Sequence, residues 1–164
     1  KVGSTAAHAF GLPRSGPVGR LAEGRVEVIS RPARGPRVPL PDSLDISVPI
    51  VPTWLGDDGA LLRAALATRP DGIVLVALGG GHVPPPVLTV LREVAVPVAL
   101  AVRPERGHLL RETYGFEGSE QDVLATGVIA AAQLAPPAAR MTLLAGLGAG
   151  LHGETLRAVF AVGA

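Results

Sequence analysis

The chain has 164 residues and carries 15 Lys and Arg against 14 Asp and Glu, a formal charge of +1. So even a balance provides no broad field to attract nucleic acid or an anionic membrane surface, and one Trp and one Tyr offer little for base stacking. Cysteine is absent, which excludes disulfides and thiolate metal sites, and no apolar run approaches the roughly 18–20 residues that span a bilayer.

Hydrophobic residues make up 48% of the chain and aromatics only 3%, so Ala, Val and Leu must build the core. No basic segment leads into an apolar one near the start. The first residue is Lys1 and the sole methionine is Met141. From this we expect that either a segment was processed off or residues upstream are missing.

Residues 1–16 are small, polar and broken by Gly and Pro, which reads as a loop. Pro17 to Leu21, a Glu23-Gly24 turn and Arg25 to Ser30 then predict a β-hairpin. Two strands are marginal alone, so the hairpin is expected to pack on something else. The proline-rich segment Arg31 to Pro41 reads as an extended linker. From Asp45 onward apolar runs alternate with helical stretches. Strands are expected over Ile46–Val51, Ile73–Leu78, Pro97–Val102 and Gly127–Ala131. Helices are expected after Asp57-Asp58 through Leu66, over Pro86–Val94, over Pro136–Leu147 and over Glu154–Val162. Arg103 to Thr126 is polar and too long for an ordinary connection. The fold class is therefore α/β: a parallel four-stranded sheet with helices on both faces, preceded by a β-hairpin.

Gly79-Gly80-Gly81-His82-Val83-Pro84 stands just past a strand's carboxyl end, where parallel sheets keep their sites. A phosphate cradle there would need free backbone N–H groups at the helix start. Pro84, Pro85 and Pro86 have none. The glycines thus shape a tight turn, with or without presenting His82 to a ligand. His8, His82, His108 and His152 lie in separate elements, and none has a second His at zinc-ligand spacing. Asp57 and Asp58 could be an acid/base pair, but their place before a helix favours capping. Ser119, Glu120 and Asp122 form a cluster in the long loop, where Ser119 could cap a following turn. No GxSxG elbow supports a serine nucleophile.

The order of several short motifs resembles the bacterial type I/II L-asparaginase family over nearly the whole chain. Gly16-Pro17-Val18-Gly19, Gly24-Arg25-Val26 and Arg31-Pro32-Ala33-Arg34 look like the hairpin that ends that family's N-terminal domain. Gly56-Asp57-Asp58-Gly59-Ala60-Leu61-Leu62, then Asp71-Gly72-Ile73-Val74-Leu75 and Gly79-Gly80-Gly81-His82-Val83-Pro84, resemble the first half of its C-terminal domain. Tyr114-Gly115-Phe116-Glu117-Gly118-Ser119-Glu120, Gly127-Val128-Ile129 and Leu134-Ala135-Pro136-Pro137-Ala138-Ala139-Arg140 are similar to the remainder.

The resemblance implies an asparaginase C-terminal α/β domain of flavodoxin- or Rossmann-like kind over 45–164. It also implies a linker over 35–44 and the end of an N-terminal domain over 1–34. The family hydrolyses L-asparagine to aspartate and ammonia with a threonine nucleophile and a second Thr-Asp-Lys group. Neither the Thr-Gly-Gly-Thr nor the Thr-Asp-Thr motif occurs in this chain, and Lys1 falls downstream of the family's lysine. No catalytic residue is therefore assigned, and the chain alone is expected to be inactive. What the resemblance does imply is help across a dimer interface, where His82 and Glu120 approach a neighbour's site and fix a substrate's α-ammonium group. Gly79, Gly80 and Gly81 would shape that site.

Glu120 keeps the family's carboxylate, whereas His82 replaces an Asn, and Ala101-Val102-Arg103 lacks the Ser or Thr that often precedes the Arg. The implied partners are a second copy of the chain, in a homodimer or homotetramer, the N-terminal domain and an amino acid amide. Neither nucleic acid nor membrane is expected, no cofactor or metal is implied, and the location is read as cytoplasmic, with a periplasmic or secreted one left open. Two other readings remain open. One is a non-catalytic α/β binding or dimerisation module. The other is the asparaginase-like subunit of a tRNA-dependent amidotransferase.

Overall fold

A computed structural model describes residues 16–31, 35–41, 43–104 and 108–161. The loop reading of 1–15, Lys1 and His8 lie outside the described residues, as do 32–34, 42, 105–107 and 162–164. Contacts divide the chain into two units, Lys1–Arg34 and Gly35–Ala164.

In the first unit β1 (Gly19–Ala22) pairs antiparallel with β2 (Arg25–Val28), in the register Gly19 to Val28 and Ala22 to Arg25. Only Glu23 and Gly24 connect them, with φ of 49° and 73°. Such two-residue turns need positive φ at both positions, because their twist then matches that of the strands. Val18, Leu21, Val26, Val28 and Ile29 are all more than half exposed. The ion pair from Arg20 Nε to Glu27 Oε2, 2.6 Å long, also lies in solvent.

The second unit is a four-stranded parallel sheet in the order β3 (Ile50–Pro52), β4 (Ile73–Ala77), β5 (Val98–Val102), β6 (Ile129–Ala130). The order is sequential. Helices α1 (Ala60–Ala67), α2 (Pro85–Leu91) and α3 (Glu120–Ala125) fill the crossovers, and α4 (Pro136–Gly148) and α5 (Gly153–Ala158) follow the last strand. Because parallel crossovers share one hand, a sequential order sends all three crossover helices to the same face. The core shows this. Ile73, Leu75 and Ala77 of β4 and Leu100 of β5 pack with Leu62, Val87, Leu88 and Val123 of α1–α3. The intervening Val74, Val76, Ala99 and Ala101 point the other way, onto Ala139 and Leu143 of α4 and Leu156 of α5. Both inner strands are buried on both faces, which explains why they read as unbroken apolar runs.

The outer strands are shorter than the sequence suggests. The run Ile46–Val51 becomes β3 only from Ile50, because Pro49 just before it has no N–H for the ladder. As an outermost strand it buries only Val51 and leaves Ile50 39% exposed. Ser47 pairs instead with Asp71, whose amide donates to the Ser47 carbonyl and whose Oδ2 accepts the Ser47 N–H at 2.7 Å. At the other edge β6 keeps two residues. Gly127 ahead of it has φ 89° and Ala132 after it has φ 50°. Arg157 of α5 spans the carbonyls of Gly127 and Val128 there.

Prolines open two helices. Pro85 and Pro86 lie in the first turn of α2, as do Pro136 and Pro137 in that of α4, where a missing N–H costs nothing. Segment 35–44, expected as a linker, forms neither helix nor strand where described, yet it is not free. Val38 packs on the α4–α5 face and Pro41 lies against Gly148. Among the described residues no helix is long and apolar enough to cross a membrane.

Candidate functional site

The sheet's carboxyl edge after β4 is closed by a reversal of the chain on itself. The Leu78 amide donates to the His82 carbonyl at 2.9 Å, and the His82 amide returns the bond to Leu78 at 3.0 Å. Gly79, Gly80 and Gly81 form the tip between them, with Gly79 and Gly81 at φ of 35° and 117°, and the tip is closely packed. A Cβ on Gly80 would stand 2.6 Å from Leu110 Cδ1, and one on Gly81 2.4 Å from Leu109 Cδ1. Those leucines belong to the long loop after β5, whose tip returns to the β4 turn. The Leu110 amide donates to the Gly80 carbonyl at 2.8 Å, and the Val83 amide to the Gly118 carbonyl at 2.9 Å.

The loop also contains a helix that the sequence reading missed. Ser119 is the N-cap of α3, as its position suggested, but its hydroxyl is buried without a partner. Asp122 Oδ2 takes the Gly118 amide instead, at 3.2 Å. Six residues with one fully buried aliphatic, Val123, show no helical period, so only the Ser119-x-x-Asp122 spacing could have signalled α3.

Glu120, the first residue of α3, has no exposed surface. Its Oε1 accepts the amides of Thr113 and Tyr114 at 2.7 and 2.8 Å, gathering the loop around the carboxylate. Its Oε2 lies 3.4 Å from His82 Nδ1, and neither atom has another partner. Burial pushes the Glu120 carboxyl up. The Tyr114, Thr113 and Glu120 amides, helped by His82 only when its ring is protonated, outweigh burial and hold it below the ordinary value of 4.5. His82 remains 21% exposed at its side chain. Its ring meets Tyr114 edge-on at a centroid distance of 5.0 Å and Phe116 at 5.1 Å. Tyr114 and Phe116 are themselves about half exposed.

His82 and Glu120, 38 positions apart in sequence, are thus brought into contact. Their placement differs from the expectation in one respect. A Glu120 reaching out toward a neighbouring subunit would present its carboxylate at the surface. In this chain the carboxylate sits beneath His82, held there by two backbone N–H groups, and the imidazole is the exposed member.

The other candidates separate from this pair. Asp57 Oδ1 accepts the Gly59 amide and Asp58 Oδ1 the Ala60 amide, at 2.8 and 2.9 Å, so both carboxylates serve the start of α1. His152 is the N-cap of α5 and His108 is exposed in the loop. Among the described residues no group of three His, Asp or Glu could hold a metal ion.

An α/β sheet of sequential order, with a glycine turn and an acid-backed histidine at its carboxyl edge, defines the class of this domain. A family model described as the Glutaminase/Asparaginase C-terminal domain matches residues 47–160. The chain belongs to that family. It is 35% identical over 167 residues to a probable L-asparaginase of Deinococcus radiodurans, an alignment covering 99% of this chain and 51% of the relative. It is 33% identical over 100 residues to an L-asparaginase of Bacillus licheniformis, covering 59% of this chain and 31% of that protein. The solved thermostable L-asparaginase from Thermococcus kodakarensis superposes with a TM-score of 0.78 at 26% identity, over 98% of this chain and 49% of that one. The chain spans about half the length of the first relative and of the solved structure.

Proposed function

We propose that this chain is the C-terminal portion of an L-asparaginase-type amidohydrolase, which converts L-asparagine and water to L-aspartate and ammonia. In this reading the chain contributes to self-association and to holding the substrate's α-ammonium group. The observation that carries it is the exposed His82 ring on the glycine turn, backed at 3.4 Å by the buried Glu120 carboxylate. A fixed negative charge behind a surface imidazole favours a cationic group in front of it. The amide bond is cleaved elsewhere, by threonines whose motifs this chain lacks. The exposed hairpin aliphatics are, in this reading, the surface on which the rest of the N-terminal domain packs.

The partners are a second copy, in a homodimer or homotetramer, and the amino acid amide. Two measurements on purified protein test the reading. The 164-residue chain alone releases no ammonia from asparagine, and the intact protein does so as an oligomer whose mass light scattering gives. Ammonia from the isolated chain above a buffer control, or an intact protein inert toward asparagine, would overturn it. The replacement of Asn by His82 favours a second reading, a binding module without hydrolysis. That reading predicts an intact protein that binds amino acid amides calorimetrically and leaves them uncleaved.

A further inference from the structure

Two buried acceptors face each other at 3.4 Å with no other partner, His82 Nδ1 and Glu120 Oε2. If both were bare, two lone pairs would oppose each other away from water, an arrangement that buried polar groups avoid. One proton must lie between them. Glu120 is not its owner, because Oε1 already takes two backbone N–H bonds that favour the ionised carboxylate. The opposite ring edge is open. Nδ1 is buried, so the accessible part of the side chain is the rest of the ring. Nε2 lies only 3.5 Å from where a Cβ on Gly80 would stand. It makes no hydrogen bond and, unlike Nδ1, is not buried, so it is the ring nitrogen that solvent reaches.

We propose that Glu120 is a positioning residue: it holds neutral His82 as the Nδ1–H tautomer, so that Nε2 is a bare acceptor for the ammonium group of a ligand. A neutral imidazole has one donor and one acceptor nitrogen, and the partner of one decides the role of the other. The opposite tautomer would turn an N–H toward an ammonium and repel it. The carboxylate acts through the ring without touching the ligand. This deepens the proposed function and rests on it only for the identity of that ligand.

The test uses the intact protein labelled with 15N in its histidines, with ring nitrogens read by long-range 1H–15N NMR at a pH where the ring is neutral. His82→Asn assigns the His82 signals by their loss. The expected wild-type pattern is a protonated Nδ1 and a bare Nε2. Glu120→Gln should invert it. The Thr113 and Tyr114 amides require an acceptor at the Oε1 position, so the glutamine NH2 takes the Oε2 place. There it can only donate, which leaves Nδ1 bare and moves the proton to Nε2. The same variant should raise KM for asparagine roughly tenfold while kcat moves far less, as for lost ground-state binding.

An Nε2–H wild type overturns the proposal, even if Glu120→Gln does not fold. So does an unchanged tautomer in a folded Glu120→Gln, or an inverted tautomer with KM unmoved. An intact wild type that shows the expected tautomer but never cleaves asparagine sinks the functional reading and leaves the role of Glu120 standing.

Discussion

Alanine at Gly118 should destabilise the domain by an amount that its geometry sets. Gly118 has φ 86°, and a Cβ there would lie 2.1 Å from the Val83 carbonyl oxygen. Holding an alanine in the left-handed region costs about 1–2 kcal/mol. The oxygen is backbone, so no side chain can swing away, and relief must come from moving the α3 entry off the β4 turn. Forcing atoms into such packed space costs about 1–3 kcal/mol more. The displacement also breaks the 2.9 Å bond from the Val83 amide to the Gly118 carbonyl, worth about 0.5–1.5 kcal/mol. Together these come to roughly 2.5–6.5 kcal/mol, an upper range because relaxation is shared among them. Gly115 is the control. It lies in the same loop, has nothing within 4 Å of its would-be Cβ and needs no positive φ. Gly115→Ala should be neutral or slightly stabilising, through a less disordered unfolded chain. Guanidinium unfolding of both variants, with amide exchange at Val83, reads the difference. Equal midpoints for the two alanines would refute the account of how loop and turn are joined.

Glu120 should leave a mark on acid stability. Its folded pKa is lowered, so its contribution is complete above the ordinary value of 4.5 and fades as pH falls through the folded value. Urea midpoints at pH 7 and near pH 3 should therefore separate less in Glu120→Gln than in wild type, and equal separations would contradict this. In the core, Leu75→Ala removes a side chain with no exposed surface from the middle of the sheet and should cost about 2–5 kcal/mol. Leu55→Ala, at 85% exposure, should stay within about 0.5 kcal/mol in the same denaturant assay.

How far the sequence discloses the fold depends on how each element buries itself. β4 and β5 are covered on both faces, so five consecutive buried residues in each appear as apolar runs with correct bounds to within a residue. The edge strands escape such reading, since Pro49 delays the start of one and positive φ at Gly127 and Ala132 trims the other. Helix α3 escapes a periodicity reading because of its six residues only Val123 is a fully buried aliphatic, and the other buried one, Glu120, is a carboxylate that no hydrophobic period registers. The same residue explains the limit at the site. That His82 and Glu120 are candidates could be argued from the motifs around them. That they touch, with the acid below and the imidazole above, depends on two amides at Thr113 and Tyr114 that sequence gives no reason to single out.

The sequential winding explains why the loop after β5 is so long. In doubly wound sheets a ligand crevice arises where strand order reverses and neighbouring connections part to opposite faces. The order β3-β4-β5-β6 has no such reversal, so the connections after β4 and β5 leave toward the same face and would crowd each other. The chain resolves this by making one connection tight and glycine-built and letting the other travel around it. The travelling loop must then be fastened, and its fastenings are the Leu110 and Val83 amides at the edges and Glu120 at the centre. The carboxylate that organises the loop is also the one that faces His82. Any change that loosens the loop should therefore alter the histidine as well, so His82 cannot shift independently of the carboxylate and amides that support it.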